Sequence, residues 1–277
     1  MKNFAFNVWD GGRLTVNRDL SPFLLLNGLT TFDSLMDFSG GQVAKNVLRE
    51  RTTTRVVLAD EDGVNRVFFL KRHRRPPLVE LVKPWLRLQR PIHGARNEWE
   101  AILRFHQTGI PTMIPVALGE ENDRSFLLTA AIEGCCKVTE WMTKHADSLR
   151  NGQLRTLREI VAGIAEVART MHAAGMHHQD FYLTHLMLPV DGIPQPVPKI
   201  HVLDLGRVRW HPRLSSRWVV KDLAQLDYSA SRIAASDRLR FLKAYLGRPI
   251  ENSDRPLIRR ILRKSRAISR HSAKNRL

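Results

Sequence analysis

Apolar residues in the first half of the chain come in short runs rich in Val, Leu, Phe and Thr, at residues 42–49, 53–59 and 65–72. Runs of this length bounded by turn residues predict strands, and Glu61-Asp62-Gly63 supplies the turn between the last two. Four prolines, Pro76, Pro77, Pro84 and Pro91, then forbid any continuous element, in a stretch where Trp85 and Leu86 alternate with Arg and Lys. From residue 97 to 107 the spacing turns helical, with Trp99, Ile102, Leu103 and His106 on one face and Gly109 next to its end. Two more strands are predicted at 116–118 and 125–129. Beyond the break at Glu133-Gly134 the pattern is helical: residues 154–174 repeat Ile160, Ile164, Val167, Ala168 and Met171 and stop at Gly175. Further helices are expected at 221–233 and 236–246. Strands followed by helices predict an α+β chain of two lobes. The first is an antiparallel-sheet lobe, 1–133, with an N-terminal extension at 1–40 and a basic insert at 72–96. The second is a mainly helical lobe, 134–277, with a basic tail at 255–277.

Composition narrows the class. No apolar run reaches the roughly 18 residues that span a bilayer, and Asn7 and Asp10 interrupt the start where a secretory leader would be apolar, which predicts a cytoplasmic protein. The cysteines are one adjacent pair, Cys135 and Cys136, unsuited to a disulfide framework or a zinc site. Lys and Arg number 44 against 27 Asp and Glu, a formal charge of +17, which points to an anionic partner. The chain has no zinc-finger spacing and no aromatic RNA-binding motif, so the charge does not point to nucleic acid.

Two segments carry chemistry when taken together. His178-Gln179-Asp180 is followed, five places after the Asp, by His185; Ile200-His201-Val202-Leu203 then leads into Asp204-Leu205-Gly206. Kinase catalytic loops have this order: His-x-Asp, a metal-side residue five places on, then a strand ending in Asp-x-Gly. Either piece alone is an ordinary polar turn; their order and separation after a helix are not. Asp180 would orient the attacking hydroxyl and accept its proton, and Asp204 would supply an oxygen ligand to Mg²⁺, with His185 as second metal-side ligand. A zinc site from His177, His178, His185 and His201 lacks the usual ligand spacing.

The same frame asks for a lysine on the third strand and a glutamate on the next helix to position the ATP phosphates. Lys71 ends the apolar run Val67-Phe68-Phe69-Leu70, and Glu98, with Glu100 as second choice, opens the helix. No Gly-x-Gly-x-x-Gly covers the nucleotide. The turn after the first of these strands reads Arg49-Glu50-Arg51-Thr52-Thr53-Thr54, where Thr52 and Thr53 are candidate phosphate contacts. Phe126 to Ile132 resembles an adenine-docking strand and hinge, with main-chain groups of Ala130 and Ile132 facing the base.

Several segments together resemble the lipopolysaccharide core heptose(I) kinase family, relatives of the Kdo kinases in the protein-kinase-like superfamily. They include Asn27-Gly28-Leu29, Phe68 to His73, Ala95 to Ile102, Gly109 to Met113, His178 to His185 and Asp237 to Phe241. Asp180-Phe181-Tyr182-Leu183-Thr184-His185 is the most specific of them, and Gln179 stands where Arg is commoner. The resemblance implies transfer of the ATP γ-phosphate to a heptose hydroxyl of the lipopolysaccharide inner core, at the cytoplasmic surface of the inner membrane. A silent kinase-like binding module would instead use the basic surface to recruit anionic glycolipid or an acidic protein such as acyl carrier protein. The tail carries nine Lys or Arg between Arg255 and Arg276, with Leu257, Ile258, Ile261, Leu262 and Ile268 on one helical face. It could lie on a membrane or pack on its own lobe. Asp222 reads as a brace for the catalytic loop. An atypical protein kinase would need a peptide-docking segment where Arg207-Val208-Arg209-Trp210-His211-Pro212 stands, and a silent kinase-like binding module would not need Lys71, Glu98, Asp180 and Asp204 together.

Overall fold

The computed structural model describes residues 3–48, 51–74, 94–146, 155–190 and 198–275. Most of the proline-rich basic insert, with Trp85 and Leu86, lies outside them, as do Arg49 and Glu50 of the expected turn, Leu154 and Arg276. The chain forms two compact units, Met1–Gln107 with Met113–Ile132, and Thr108–Thr112 with Glu133–Leu277.

The first unit is built on β1 (Phe6–Trp9), β2 (Leu14–Asn17), α1 (Ser21–Leu26), α2 (Phe32–Met36), β3 (Gln42–Leu48), β4 (Arg51–Ala59), β5 (Asn65–His73), α3 (Arg96–Gln107), β6 (Ile114–Glu121) and β7 (Arg124–Ala130). The strands form one seven-stranded sheet in the order β1-β2-β6-β7-β5-β4-β3, and every pairing is antiparallel. The first residues of the chain thus extend the sheet beside β6. Arg13 holds them there, contacting Asp10, Asp33 and Glu121.

Strand alternation sorts the sheet into two faces. Phe68 and Leu70 of β5, Phe126 and Leu128 of β7 and Val56 and Leu58 of β4 join Phe23, Leu24, Phe32 and Leu35 of α1 and α2 in one buried cluster. Each fully buried aromatic ring there contributes about 2–3 kcal/mol. Lys71 points to the opposite face, toward α3. That helix buries Glu98, Trp99, Ala101, Ile102, Phe105 and His106, while Leu103, expected on the buried face, is only half-buried.

The second unit begins with β8 (Cys135–Lys137), α4 (Val138–Lys144) and α5 (Arg155–Ala173). It continues through β9 (Met176–His177), β10 (Leu186–Pro189), β11 (His201–Val202), β12 (Arg209–Trp210), α6 (Ser216–Ser229), α7 (Ala235–Leu246) and α8 (Arg255–Asn275). It is less purely helical than the sequence suggests: β11-β10-β8 form a small sheet and β12 pairs with β9. Helix α6 starts earlier than the expected residue 221, because Ser215 takes an extended conformation and its carbonyl receives the Trp218 N–H at 2.9 Å. Helix α8 turns Ile261 and Ser265 inward, while Arg259, Leu262, Arg263, Arg266 and Arg270 stay exposed. Ile261 therefore packs within its own unit, Leu257, Ile258 and Ile268 are half-buried, and the outer face is a row of guanidinium groups with Leu262 among them.

Gly175 ends α5 at φ +75°, and a Cβ there would lie 2.2 Å from the His211 carbonyl oxygen, whose own N–H donates to the Gly175 carbonyl at 2.9 Å. Gly175→Ala should therefore cost about 1–3 kcal/mol through positive-φ strain and a backbone clash. A fall of several degrees in melting temperature is expected by calorimetry; an unchanged melting temperature would contradict this packing.

Candidate functional site

Lys71 lies in β5 opposite Thr53 of β4 and Leu127 of β7, and its ammonium reaches across to α3. Lys71 Nζ donates to Glu98 Oε1 at 2.7 Å. The glutamate is 4 % exposed and the lysine 26 %. A carboxylate this buried needs a cation beside it, and Lys71 meets that need while keeping one side toward solvent. Thr52 and Thr53 are not in a turn: they sit inside β4, in register with Arg72 and Lys71 of β5. Thr53 shares the Lys71 face of the sheet. Ala130 is the last residue of β7, in register with Phe68 and Ile114; Ala131 N–H donates to the Val67 carbonyl at 2.9 Å, and Ile132 follows beyond the strand.

In the second unit, the loop after β9 and the end of β11 are joined at one residue. Leu203, directly before Asp204, donates its N–H to the His185 carbonyl at 2.8 Å and accepts from His178 Nε2 at 2.9 Å. A carbonyl can only accept, so His178 carries its proton on Nε2. Its Nδ1 lone pair then faces the Asp180 N–H at 3.3 Å. Burial holds this imidazole below its ordinary pKa, which keeps the neutral tautomer that both bonds require.

The base of the loop rests on Asp222 of α6, which is fully buried. Its Oδ2 accepts from His178 N–H at 2.7 Å and its Oδ1 from Gln179 N–H at 2.9 Å, with His172 Nε2 at 3.4 Å. Burial alone would raise the pKa of this carboxyl. The hydrogen bond and charge of His172, with the amide of His178, outweigh it, and the group is held below the usual carboxylate range. Gln225, one turn further along α6, accepts the Phe181 N–H at 3.0 Å and donates to the Gln179 carbonyl at 2.6 Å. These contacts hold Gln179 at φ +72°; Asp204 likewise sits in the left-handed region at φ 58°. Left-handed backbone at non-glycine residues is costly and persists only where its surroundings enforce it.

Asp180 is thereby presented at the loop tip, where Arg207 Nη1 lies 3.0 Å from each of its carboxylate oxygens. His185 donates Nδ1–H to the Asp180 carbonyl at 2.8 Å, which leaves the Nε2 lone pair facing Asp204 Oδ2 at 3.8 Å. An imidazole lone pair beside a half-exposed carboxylate suits a divalent cation whose other positions come from phosphate and water oxygens. The alternative zinc quartet does not assemble. His177 pairs with His211 and His201 lies near Cys135, and among the described residues no cluster of three or more His, Cys, Asp or Glu could hold a metal.

Sequence reasoning did not find Arg207 or the role of Leu203. The guanidinium stood in a basic segment, and a leucine carries no chemical signal for its backbone.

Residues 41–245 match the family described as "Lipopolysaccharide kinase (Kdo/WaaP) family". The chain is 33% identical over 247 residues to the lipopolysaccharide core heptose(I) kinase WaaP of Escherichia coli, covering 83% of this chain and 87% of that protein. It is 33% identical over 241 residues to the WaaP of Pseudomonas aeruginosa, covering 83% and 85%. Among solved structures, WaaP in complex with acyl carrier protein superposes with a TM-score of 0.71 at 30% identity, covering 92% of this chain and 98% of that one. An aminoglycoside-3'-phosphotransferase of type VIII superposes with a TM-score of 0.50 at 14% identity, over 88% and 98%, a likeness of fold alone. The fold is protein-kinase-like, with an antiparallel-sheet N-terminal part and a mainly helical C-terminal part.

His177, beside this loop, stacks on Trp218 at 4.3 Å with the His211 ring centroid at 5.2 Å, and its Nδ1 has no partner among the described residues. Burial first, then repulsion from His211, lowers its pKa to about 4 against the pull of Asp222. The unfolded imidazole binds its proton from about pH 6.5 downward and the folded one only near 4, so stability is lost as pH falls through that window. The melting temperature is expected to fall between pH 7 and 4.5, and His177→Phe to flatten that fall. An identical slope in the variant would contradict a neutral buried His177.

Proposed function

The chain belongs to the lipopolysaccharide kinase (Kdo/WaaP) family, and on that premise we propose that it phosphorylates a heptose hydroxyl of the lipopolysaccharide inner core, with ATP as donor. The observation that carries this reading is the joint at Leu203, where one backbone unit ties the loop bearing Asp180 to the strand end bearing Asp204. In this reading Asp180 accepts a hydrogen bond from the acceptor hydroxyl, aims its oxygen and takes its proton late in the transfer. Lys71, held by Glu98, meets the nucleotide phosphates, with the hydroxyl of Thr53, on the same face of the sheet, as a further contact; Thr52 lies on the other face with Arg72. The main chain at Ala130 and Ile132 meets the adenine. Asp204 and His185 would hold Mg²⁺, which neutralises charge on the phosphate oxygens when bound.

We infer partner and place from the same family and from two features of the second unit. Acyl carrier protein, present with WaaP in the related structure, is proposed as a partner here. An apolar cavity of about 320 Å³ lined by residues such as Trp141, Ile160, Leu226, Phe241 and Ile261 would suit an acyl chain. No helix among the described residues is long and apolar enough to cross a membrane. The exposed arginines of α8 suit adsorption to the anionic surface of the inner membrane from the cytoplasmic side, by charge, with Leu262 exposed among them.

Purified protein given radiolabelled ATP and purified core oligosaccharide tests the reading. Wild type should label the oligosaccharide, and Asp180→Ala should lower the rate at least about 100-fold. Equal labelling by both would remove Asp180 from the chemistry, and no labelling by wild type would remove the activity.

A further inference from the structure

Asp180 is surrounded by more positive charge than its own carboxylate requires. Arg207, at the end of the short turn Leu205–Arg207, is 58% exposed and touches both carboxylate oxygens through Nη1 alone. A guanidinium committed to a carboxylate presents two nitrogens in parallel; this geometry leaves Nε and Nη2 turned away from Asp180. Lys221 of α6 stands close by, its Nζ 3.4 Å from Gln179 Oε1 and over the Trp218 ring at 5.7 Å. Lys264 of α8 is near enough to repel it.

The arrangement is constructed. Gln179, buried at 5% exposure, donates Nε2–H to the Arg207 carbonyl at 2.8 Å while its Oε1 takes the lysine. One neutral side chain therefore holds the backbone of Arg207 and the ammonium of Lys221. The carboxylates facing the group are Asp180, already shared with Arg207, and Asp222, whose oxygens are taken by backbone N–H groups and His172. Burial first, and then repulsion from Arg207, holds the Lys221 ammonium below its ordinary pKa. An anion arriving there relieves that repulsion. A neutral sugar hydroxyl would need only Asp180.

Building on the kinase reading above, we propose that Arg207 and Lys221 form an anion subsite beside Asp180. It receives a carboxylate or phosphate borne by the acceptor next to the hydroxyl that is phosphorylated. Arg207 would keep Nη1 near Asp180 and turn Nε and Nη2 to the acceptor. The subsite thus selects an acidic saccharide over a neutral one and sets its hydroxyl against the carboxylate that takes the proton.

Binding of three acceptors without nucleotide tests this: native core oligosaccharide, the same material with its carboxyl groups reduced to alcohols, and the same material with its phosphates removed. Arg207→Gln should weaken binding of the native acceptor about 10- to 100-fold, the range of a lost charge-assisted contact, and Arg207→Lys should restore part of it. Lys221→Met should weaken it in the same direction. With one of the two modified acceptors, wild type and Arg207→Gln should bind alike, which identifies the anion. Affinity for a non-hydrolysable ATP analogue should not change. Native binding by Arg207→Gln at wild-type strength, equal weakening for all three acceptors, or a loss confined to the nucleotide would each overturn the subsite. Binding without transfer by wild type contradicts the kinase reading and leaves the subsite standing; transfer with binding indifferent to Arg207 does the reverse.

Discussion

The loop that bears Asp180, in the second unit, depends on one buried carboxylate. Asp222 has no exposed surface, and its two oxygens take the N–H groups of consecutive residues, His178 and Gln179. A carboxylate in that position is tolerated only because donors converge on it. Three helices supply the support: α6 bears Asp222, α5 provides His172, and Tyr245 of α7 lies 2.9 Å from His172 Nδ1. From this anchor the remaining geometry follows. The loop is pinned at its base, Gln179 is driven to positive φ, His178 is aimed at Leu203, and Asp180 and Asp204 are left projecting.

Much of this was legible in the sequence where local pattern decides structure. The runs around residues 53–59 and 65–72 are long enough and apolar enough to fix strands, and β5 lies where they predict it. The order of His178, Asp180, His185, Asp204 and Gly206 was visible because that chemistry constrains residue type and spacing. The short strands β1 and β2 were not. They have only four residues each, the first ends beside Asp10, and what makes them strands is the pairing of β2 with β6 about a hundred residues away, onto which β1 adds through β2, which is a tertiary effect. Thr52 and Thr53 were assigned to a turn because polar residues resemble one, although the ladder with β5 claims them.

Charge was the least legible feature, because its meaning depends on what lies nearby. Arg72 looked like the start of a solvated basic run, yet it is half-buried and donates to the carbonyls of Leu35 and Phe38 at the end of α2. Arg207 was one of several arginines around residue 209 until the structure set it on Asp180. The tail arginines, by contrast, are surface charge, arrayed outward by a helix that turns Ile261 and Ser265 inward. A net charge of +17 thus divides into structural contacts, a cluster at the catalytic loop and an outer face.

The most direct test of this account is the rate of phosphoryl transfer by Asp222→Asn at saturating ATP and core oligosaccharide, with folding checked by circular dichroism. Asparagine keeps the shape but turns an N–H donor toward one of the two backbone N–H groups, so the loop loses its anchor while Asp180 and Asp204 remain. A fall in kcat of about 100-fold or more in a folded protein is the expected result, the scale on which small misplacements act. A folded Asp222→Asn protein with wild-type kcat would contradict the claim that this carboxylate organises the site.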